Sequence, residues 1–363
     1  MTRHKKPKKT EASAHMANQF IVAHIIPTGV KADIGGYVGD ATPATNVIAS
    51  IADKVISHPN VVNGVVLNLA KKNVLYVEGY ALDMFFKGEV ELKEVERNRI
   101  GVVLDKGIEE EGYNLAVNTV NALRTVGGVE VVCMIKTKQE VLTRAVKTKS
   151  NSFVGEITHE DALIDACRGA IKKGAQALAI SLAIQIHMKD LKAYFAGKGA
   201  NPYGGAEAII SHLITATFGI PAAHAPLLSK YEIYKETHSG TVDPRAAAEA
   251  IGPAYLGCVL QGLDRAPRLV ARGGDVRVED VDAVVLPYTC MGGIPALAAQ
   301  KRKIPIIAVK ENTTVMKATP AALKMKNVIT AENYWEVGGI LAAMKEGIDP
   351  RELRRPVKKV IIE

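Results

Sequence analysis

The feature that most constrains the chain is an alternation of short apolar runs with amphipathic stretches, which continues through most of its 363 residues. The runs Phe20–Ile26, Val61–Leu67, Val74–Glu78, Ile100–Asp105 and Glu130–Ile135 recur in kind at Ala177–Leu182, Ile220–His224, Leu269–Arg272, Ala283–Pro287 and Ile304–Val309. They are apolar at consecutive positions rather than at every second one. A strand that reads this way is covered on both faces, as in a parallel sheet flanked by helices. Between the runs, Pro43–Ile56, Glu110–Thr125, His159–Lys173, Gly205–Phe218, Pro244–Leu263 and Ile294–Lys301 carry a helical period. The expected fold is α/β, with two Rossmann-like lobes of mostly parallel sheet and a cleft between them. The most polar interruption, Lys147-Thr-Lys-Ser-Asn-Ser152, sets the expected boundary. It gives an N-terminal lobe at 20–148 and a C-terminal lobe at 153–347, without tandem repeats, followed by a basic extension at 348–363.

Composition removes several classes. Apolar residues make up 48% and charged residues 23%, enough for a large core and unlike a disordered chain. No apolar run reaches the eighteen or so residues that a membrane-crossing helix needs. Half of the net charge of +8 sits in the first twenty residues, where Arg3, Lys5, Lys6, Lys8 and Lys9 face only Glu11. Residues 1–19 read as a disordered basic tail, or as a leader left by cloning, since Ala14-His15-Met16 resembles a cloning junction. No apolar segment follows the basic residues, as a secretory signal requires. No aromatics alternate with the lysines to stack bases, so nucleic acid is not an expected partner. Cys133, Cys167, Cys258 and Cys290 include no pair at CxxC spacing, which argues against both a disulfide framework and a cysteine zinc site. Free cysteines point to a reducing cytoplasm, with no membrane partner.

In parallel α/β folds, ligands bind beyond the carboxyl ends of strands, where loops lead into helix N-termini. The first such junction runs Pro27-Thr-Gly-Val-Lys-Ala-Asp-Ile-Gly-Gly-Tyr-Val-Gly-Asp-Ala-Thr-Pro-Ala-Thr-Asn46. Gly35 and Gly36 allow close backbone approach, and Asp40 or Thr42 can cap the helix that Pro43 opens. Asp33, Asp40, Thr42 and Asn46 are candidates for holding a ligand there; an ordinary capped loop is the alternative. Neither GK[ST] nor GxGxxG occurs, so no nucleotide fingerprint is present. His58 and Asn60, around Pro59, are further binding candidates, although His58 can equally cap a turn. Glu78 ends an apolar strand, where a carboxyl serves as general base, ligand anchor or ion-pair partner.

Later in the chain, Gly204 and Gly205 open a helix that carries Glu207 and His212, and His224 stands between Pro221 and Pro226. Glu207, His212 and His224 could form a metal set, but their spacing matches no standard motif and no metal is expected. In Asp282-Ala-Val-Val-Leu-Pro-Tyr-Thr-Cys-Met-Gly-Gly-Ile-Pro295, a strand leads through Thr289, Cys290 and Gly292 into a helix N-terminus. A helix dipole there would lower the thiol pKa and make Cys290 a nucleophile or proton shuttle; a buried structural cysteine is the alternative.

The segments HIIPTGVKADIGGYVGDATPATN, SHPNVVN, YVEGYALD, NPYGGAEAIISH, IPAAHAP and LQGLDRAPRLV resemble a bacterial family of unknown function, found prominently in photosynthetic lineages. The resemblance covers about residues 20–345. Separately, DAVVLPYTCMGGIPALAAQKRKIPIIAV is similar to the second cysteine segment of the aspartate/glutamate racemase superfamily. That likeness implies an acid–base thiol at Cys290, but the first lobe offers no matching cysteine at a strand-to-helix turn.

The expected function is a cofactor-independent enzyme that uses acid–base or thiol chemistry on a small anionic or amide metabolite, as isomerase or racemase, lyase or hydrolase. Cys290, Glu78 and His224 would be catalytic. The alternatives are a non-catalytic small-molecule sensor, a metal-dependent hydrolase using Glu207, His212 and His224, or a structural partner protein. A homo-oligomer is expected.

Overall fold

The computed structural model describes residues 19–36, 39–149, 151–196, 198, 200–226, 241, 244, 247, 255–353 and 355–356. Residues 1–18 of the expected tail at 1–19, and residues 354 and 357–363 of the expected extension at 348–363, lie outside these residues.

The chain begins with β1 (Ile21–His24), α1 (Thr42–Ala49), β2 (Lys54–Ser57), β3 (Val74–Tyr76), α2 (Gly79–Lys87) and β4 (Glu91–Lys93). It continues through β5 (Ile100–Leu104), α3 (Glu110–Gly127), β6 (Val131–Lys136), β7 (Thr143–Lys147), β8 (Phe153–Ile157), α4 (Glu160–Lys172) and β9 (Ala177–Ser181). Then come β10 (Ile184–Gln185), α5 (Met188–Phe195), α6 (Gly204–Phe218), β11 (Ala222–His224), α7 (Leu256–Asp264) and β12 (Arg268–Val270). The last elements are β13 (Val281–Pro287), α8 (Ile294–Arg302), β14 (Ile306–Val309), β15 (Val328–Ala331) and α9 (Tyr334–Lys345).

Two parallel sheets carry the architecture. The larger has the order β15-β14-β13-β1-β2-β3, and the smaller β11-β9-β5-β6. The α/β class and the dominance of parallel sheet follow the apolar runs: β1, β5, β9 and β14 are buried at every residue. Each isoleucine fully buried this way contributes about 1.5–3 kcal/mol relative to exposure. His24 is the polar outlier in β1. Its Nδ1 lies 3.0 Å from Thr45 Oγ1 and its Nε2 lies 3.2 Å from the Tyr334 hydroxyl. Burial and the nearby His58 push it down to about 3, so it sits in the core as a neutral ring.

The sheets divide the chain differently from a cut near residue 150. β1 pairs with β13, so residues 21–76 and 281–331 build one sheet, while residues 100–224 build the other. The polar run at 147–152 belongs to a β-hairpin: β7 pairs antiparallel with β8, Lys147 facing Phe153, and Asn151 takes a left-handed conformation. Polarity there marks a tight turn. The two sheets also share a core. Val22 and Ile26 of the first, Val102 and Leu104 of the second, and Leu260 and Leu263 of α7 belong to one buried cluster.

Other expectations are corrected. Val61–Leu67 is not a strand; Gly64–Leu69 is a 3-10 helix, and the strand lies earlier, at Lys54–Ser57. The helix expected through Ile56 ends at Ala49, because Val55 and Ile56 pair with both β1 and β3, and sheet hydrogen bonds override helical period. The run at 269–272 forms, as β12, an antiparallel pair with β4.

Candidate functional site

In the larger sheet, consecutive connections run outward in opposite directions from β1 and β13, so their loops part at the carboxyl edge. This is a topological switch point, where open α/β sheets leave a crevice. A cavity of about 460 Å³ opens there. Its walls come from the loops after β1, β2 and β3, from α6 and the end of β11, from the start of α7, and from the start of α8.

The cavity gathers only part of the expected site. Gly35, Gly36, His58 and Asn60 line it from the loops after β1 and β2, Glu78 from the end of β3, and Gly204, Glu207, His212 and His224 from α6 and β11. Gly35 has φ +92°, and a Cβ there would lie 2.7 Å from Ile26 Cδ1, so the glycine is required by the turn itself. His58 Nε2 accepts the Ile26 N–H at 3.1 Å while its carbonyl receives the Val61 and Val62 N–H groups. It is a turn-former as well as a lining residue, held neutral by burial that brings it down to about 4. Asn60 donates to the Ile26 and Pro27 carbonyls and fixes the β1 loop.

Several expected residues stand elsewhere. Asp33 is engaged by the Thr313 hydroxyl, and Asp40 accepts the Gly35 N–H at 2.6 Å. The Thr42 hydroxyl donates to the Gly39 carbonyl, and Asn46 ties Leu69 and Lys71 to α1. These four organise the loop and none lines the cavity. Gly205 also serves packing: its Cβ position lies 2.2 Å from the Phe153 carbonyl oxygen, so only glycine lets α6 touch β8.

Cys290 is the main correction. It is buried in the shared core, outside the cavity lining. Residues 314–318 cover it: its Sγ is 3.3 Å from Thr314 Oγ1, Thr289 bonds the same hydroxyl, and Met291 N–H reaches the Ala318 carbonyl. Gly292 faces Ala318 in the same contact. Burial pushes the thiol up despite hydrogen bonds from Thr314 and Thr289. The helix that was to activate it begins four residues later, at Ile294, beyond the reach of a dipole that fades within a turn.

The electrostatic centre of the cavity is a group of buried ionisable side chains. Glu78 is 6% exposed, with no hydrogen-bond partner at Oε1. Burial, aided by the charge of Glu207, pushes it up to about 8, against the opposing hydrogen bond from Tyr76. Tyr76, at the end of β3, is held well above the usual phenol range by burial and by the neighbouring Glu78, Cys258 and Glu207. Opposite, His224 Nδ1 lies 3.6 Å from Glu207 Oε1, with the ring fully buried and the carboxylate 27% exposed. His224 Nε2 stands 3.2 Å from both the N–H and the carbonyl of Leu182. In the tautomer with the proton on Nδ1, Nε2 accepts the Leu182 N–H. Asp83, on α2, is pushed up to about 6 by burial.

His212 turns toward α2, its ring 4.9 Å from that of Tyr80, and burial lowers its pKa. Glu207 and His224 are therefore neighbours, but among the described residues no group of three histidine, cysteine, aspartate or glutamate side chains could hold a metal ion.

Sequence reasoning missed Tyr76, Asp83 and Cys258, which line the cavity with Lys31, Asn63 and Tyr203. Tyr76 sits inside an apolar run and Cys258 inside an apolar helix, so local pattern assigned both to the core. The one available signal was Gly262, one turn beyond Cys258. A Cβ there would lie 2.3 Å from Tyr76 Cζ, and glycine in a helix interior is otherwise unfavourable.

A family model described as a protein of unknown function (DUF3326) matches residues 21–354. An uncharacterized lipoprotein of Synechococcus sp. is 38% identical over 338 residues, covering 91% of this chain and 92% of the relative. That relative overturns the expected cytoplasmic location, because a lipoprotein is anchored to a membrane. The inference from unpaired cysteines fails for a physical reason: Cys167, Cys258 and Cys290 are buried and stay free whatever the redox state of the compartment. Among the described residues no helix is long and apolar enough to cross a membrane.

Proposed function

The chain belongs to the DUF3326 family of proteins of unknown function, and from that premise we propose that it is an acid–base enzyme acting on a small amide- or carboxylate-bearing metabolite in the cavity at the β1/β13 switch point. One observation carries the reading: two carboxyls of a single cavity stand in opposite environments, Glu78 buried with an unpartnered oxygen and Glu207 27% exposed beside the His224 ring. Glu78, buried and pushed up to about 8, holds its proton at neutral pH and is the acid. Glu207, partly open to the cavity and facing the His224 ring, is the base. Separating two carboxyls in this way is how one site carries both halves of a proton transfer.

His224 is a positioning residue. Its ring, fixed by Leu182, orients the Glu207 carboxylate and steadies its charge. Lys31, at the mouth, supplies a cation for a ligand carboxylate. The first residues of three helices, Gly79, Gly204 and Ile294, line the same space, and helix N-termini favour an anionic group.

The test is a thermal-shift screen of small metabolites on the full chain, followed by mass spectrometry for turnover of each ligand found. Glu78→Gln and Glu207→Gln should each lower turnover at least a hundredfold while keeping the ligand-induced shift. Turnover at the wild-type rate in both variants would remove the acid–base reading.

A further inference from the structure

We propose that the loop after β2 forms a carboxamide subsite in this cavity: His58 donates from Nδ1 to the amide oxygen of the substrate, and the Asn60 side-chain oxygen accepts from its amide nitrogen. The proposal rests on the reading of the cavity as a substrate site. It narrows the substrate class from amide- or carboxylate-bearing metabolites to those with an amide that carries N–H.

Both side chains are anchored to the same residue. The Ile26 N–H lies 3.1 Å from His58 Nε2, and the Ile26 carbonyl accepts from Asn60 Nδ2 at 2.8 Å. A backbone N–H can only donate, so Nε2 is the unprotonated nitrogen of the ring. Burial brings that ring down to about 4, so at neutral pH its single N–H is on Nδ1. The orientation of Asn60 follows in the same way. Its Nδ2 donates to the Ile26 carbonyl and, at 3.0 Å, to the Pro27 carbonyl. A flipped amide would set its oxygen against both carbonyl oxygens, so Oδ1 is the atom left over.

Tautomer and amide orientation together leave one donor and one acceptor, on either side of Pro59. All three residues line the cavity. Neither His58 Nδ1 nor Asn60 Oδ1 has a hydrogen-bond partner among the described residues, and neither atom is sealed from solvent. His58 is only 6% exposed, so the access left to its ring is through the cavity. The backbone beneath them is tied down: the His58 carbonyl receives the Val61 and Val62 N–H groups, and the Asn60 carbonyl receives the Gly36 N–H at 2.8 Å. Gly36, at φ +99°, keeps the Asn60 amide uncovered, since a Cβ there would stand 3.6 Å from Oδ1.

A donor beside an acceptor is the complement of a carboxamide, whose oxygen accepts and whose nitrogen donates. A carboxylate has acceptors only and would set an oxygen against Asn60 Oδ1. An ammonium has donors only and would set a proton against His58 Nδ1–H. A neutral ring N–H also polarises the carbonyl it holds, which suits acid–base chemistry next to the amide.

The probes are acetamide, acetate and N,N-dimethylacetamide, titrated at pH 7.5 into the full chain labelled with nitrogen-15 in its histidine rings. Before ligand is added, the His58 ring should show a protonated Nδ1 and an unprotonated Nε2. Acetamide should move the Nδ1 resonance in a saturable way. Acetate and dimethylacetamide both lack the N–H that Asn60 Oδ1 accepts, and each should bind at least about tenfold more weakly. A proton on Nε2, or on both nitrogens, overturns the proposal. So does a His58 ring that ignores acetamide or answers all three probes alike. The wild-type chain carries these readouts, so no variant has to fold. The two readings also fail separately. If acetamide binds at His58 while turnover survives both Glu78→Gln and Glu207→Gln, the acid–base reading falls and the subsite stands. If those variants lose turnover while the His58 ring ignores acetamide, the subsite falls and the acid–base reading stands.

Discussion

Replacing Glu78 with glutamine keeps the shape of the side chain and its ability to accept the Tyr76 hydroxyl, and removes only the proton equilibrium. The carboxyl is pushed from an ordinary 4.5 to about 8 in the folded chain. A raised carboxyl favours the fold while it is protonated and works against it as pH rises. Below about 4.5, both folded and unfolded forms hold the proton, and wild type and Glu78→Gln should differ little. Between about 4.5 and 8 the unfolded chain ionises and the folded chain does not, so wild type loses about 1.4 kcal/mol per pH unit relative to the variant. The gap reaches about 3 kcal/mol at pH 7 and levels off near 5 kcal/mol above pH 8, as an order of magnitude. Other groups shape both proteins equally. Asp83, pushed up to about 6, destabilises the fold as pH rises, whereas His24 and His58, lowered to about 3 and 4, destabilise it as pH falls below their ordinary value. These contributions cancel in the difference. The assay is urea unfolding of both proteins from pH 5 to 8.5, followed by circular dichroism. Glu78→Gln should become progressively the more stable of the two as pH rises. A stability difference that is flat with pH would refute the assignment of Glu78 as a buried, protonated acid, and with it the proposed proton donor.

Two further outcomes test the architecture. Gly205→Ala should destabilise the chain by about 2–3 kcal/mol in the same unfolding assay, because the added Cβ meets backbone atoms of Phe153 and Val154 that cannot move aside. Cys290→Ala should cost only about 1 kcal/mol and leave ligand binding and turnover unchanged, since Cys290 lies away from the cavity; loss of turnover would show that the 288–293 loop is part of the site after all.

The amino-acid sequence by itself determined the class of the fold. Runs such as Ile21–His24 and Ala177–Ser181 are apolar on both faces, and only strands covered by helices on both sides bury such runs completely. It also marked the β1 loop, His58, Glu78, Glu207 and His224, because polar and glycine residues concentrated at strand ends are visible in a linear pattern. Strand order was decided in three dimensions. Nothing local to residues 21–24 says that they pair with 281–285, so the division of the chain into lobes was misplaced and a hairpin turn was taken for a linker. The fate of the cysteines was decided there too. Cys290 has the sequence context of an activated thiol, yet the chain at 314–318 closes over it. Cys258 has the context of a core residue, yet α7 docks so that its first turn opens into the cavity. Proton affinity depends on which charges and how much water surround a group, and those are properties of packing between distant segments. Tyr76, Glu78, Glu207 and Cys258 span almost two hundred residues of chain, and only the packed fold brings them into electrostatic contact.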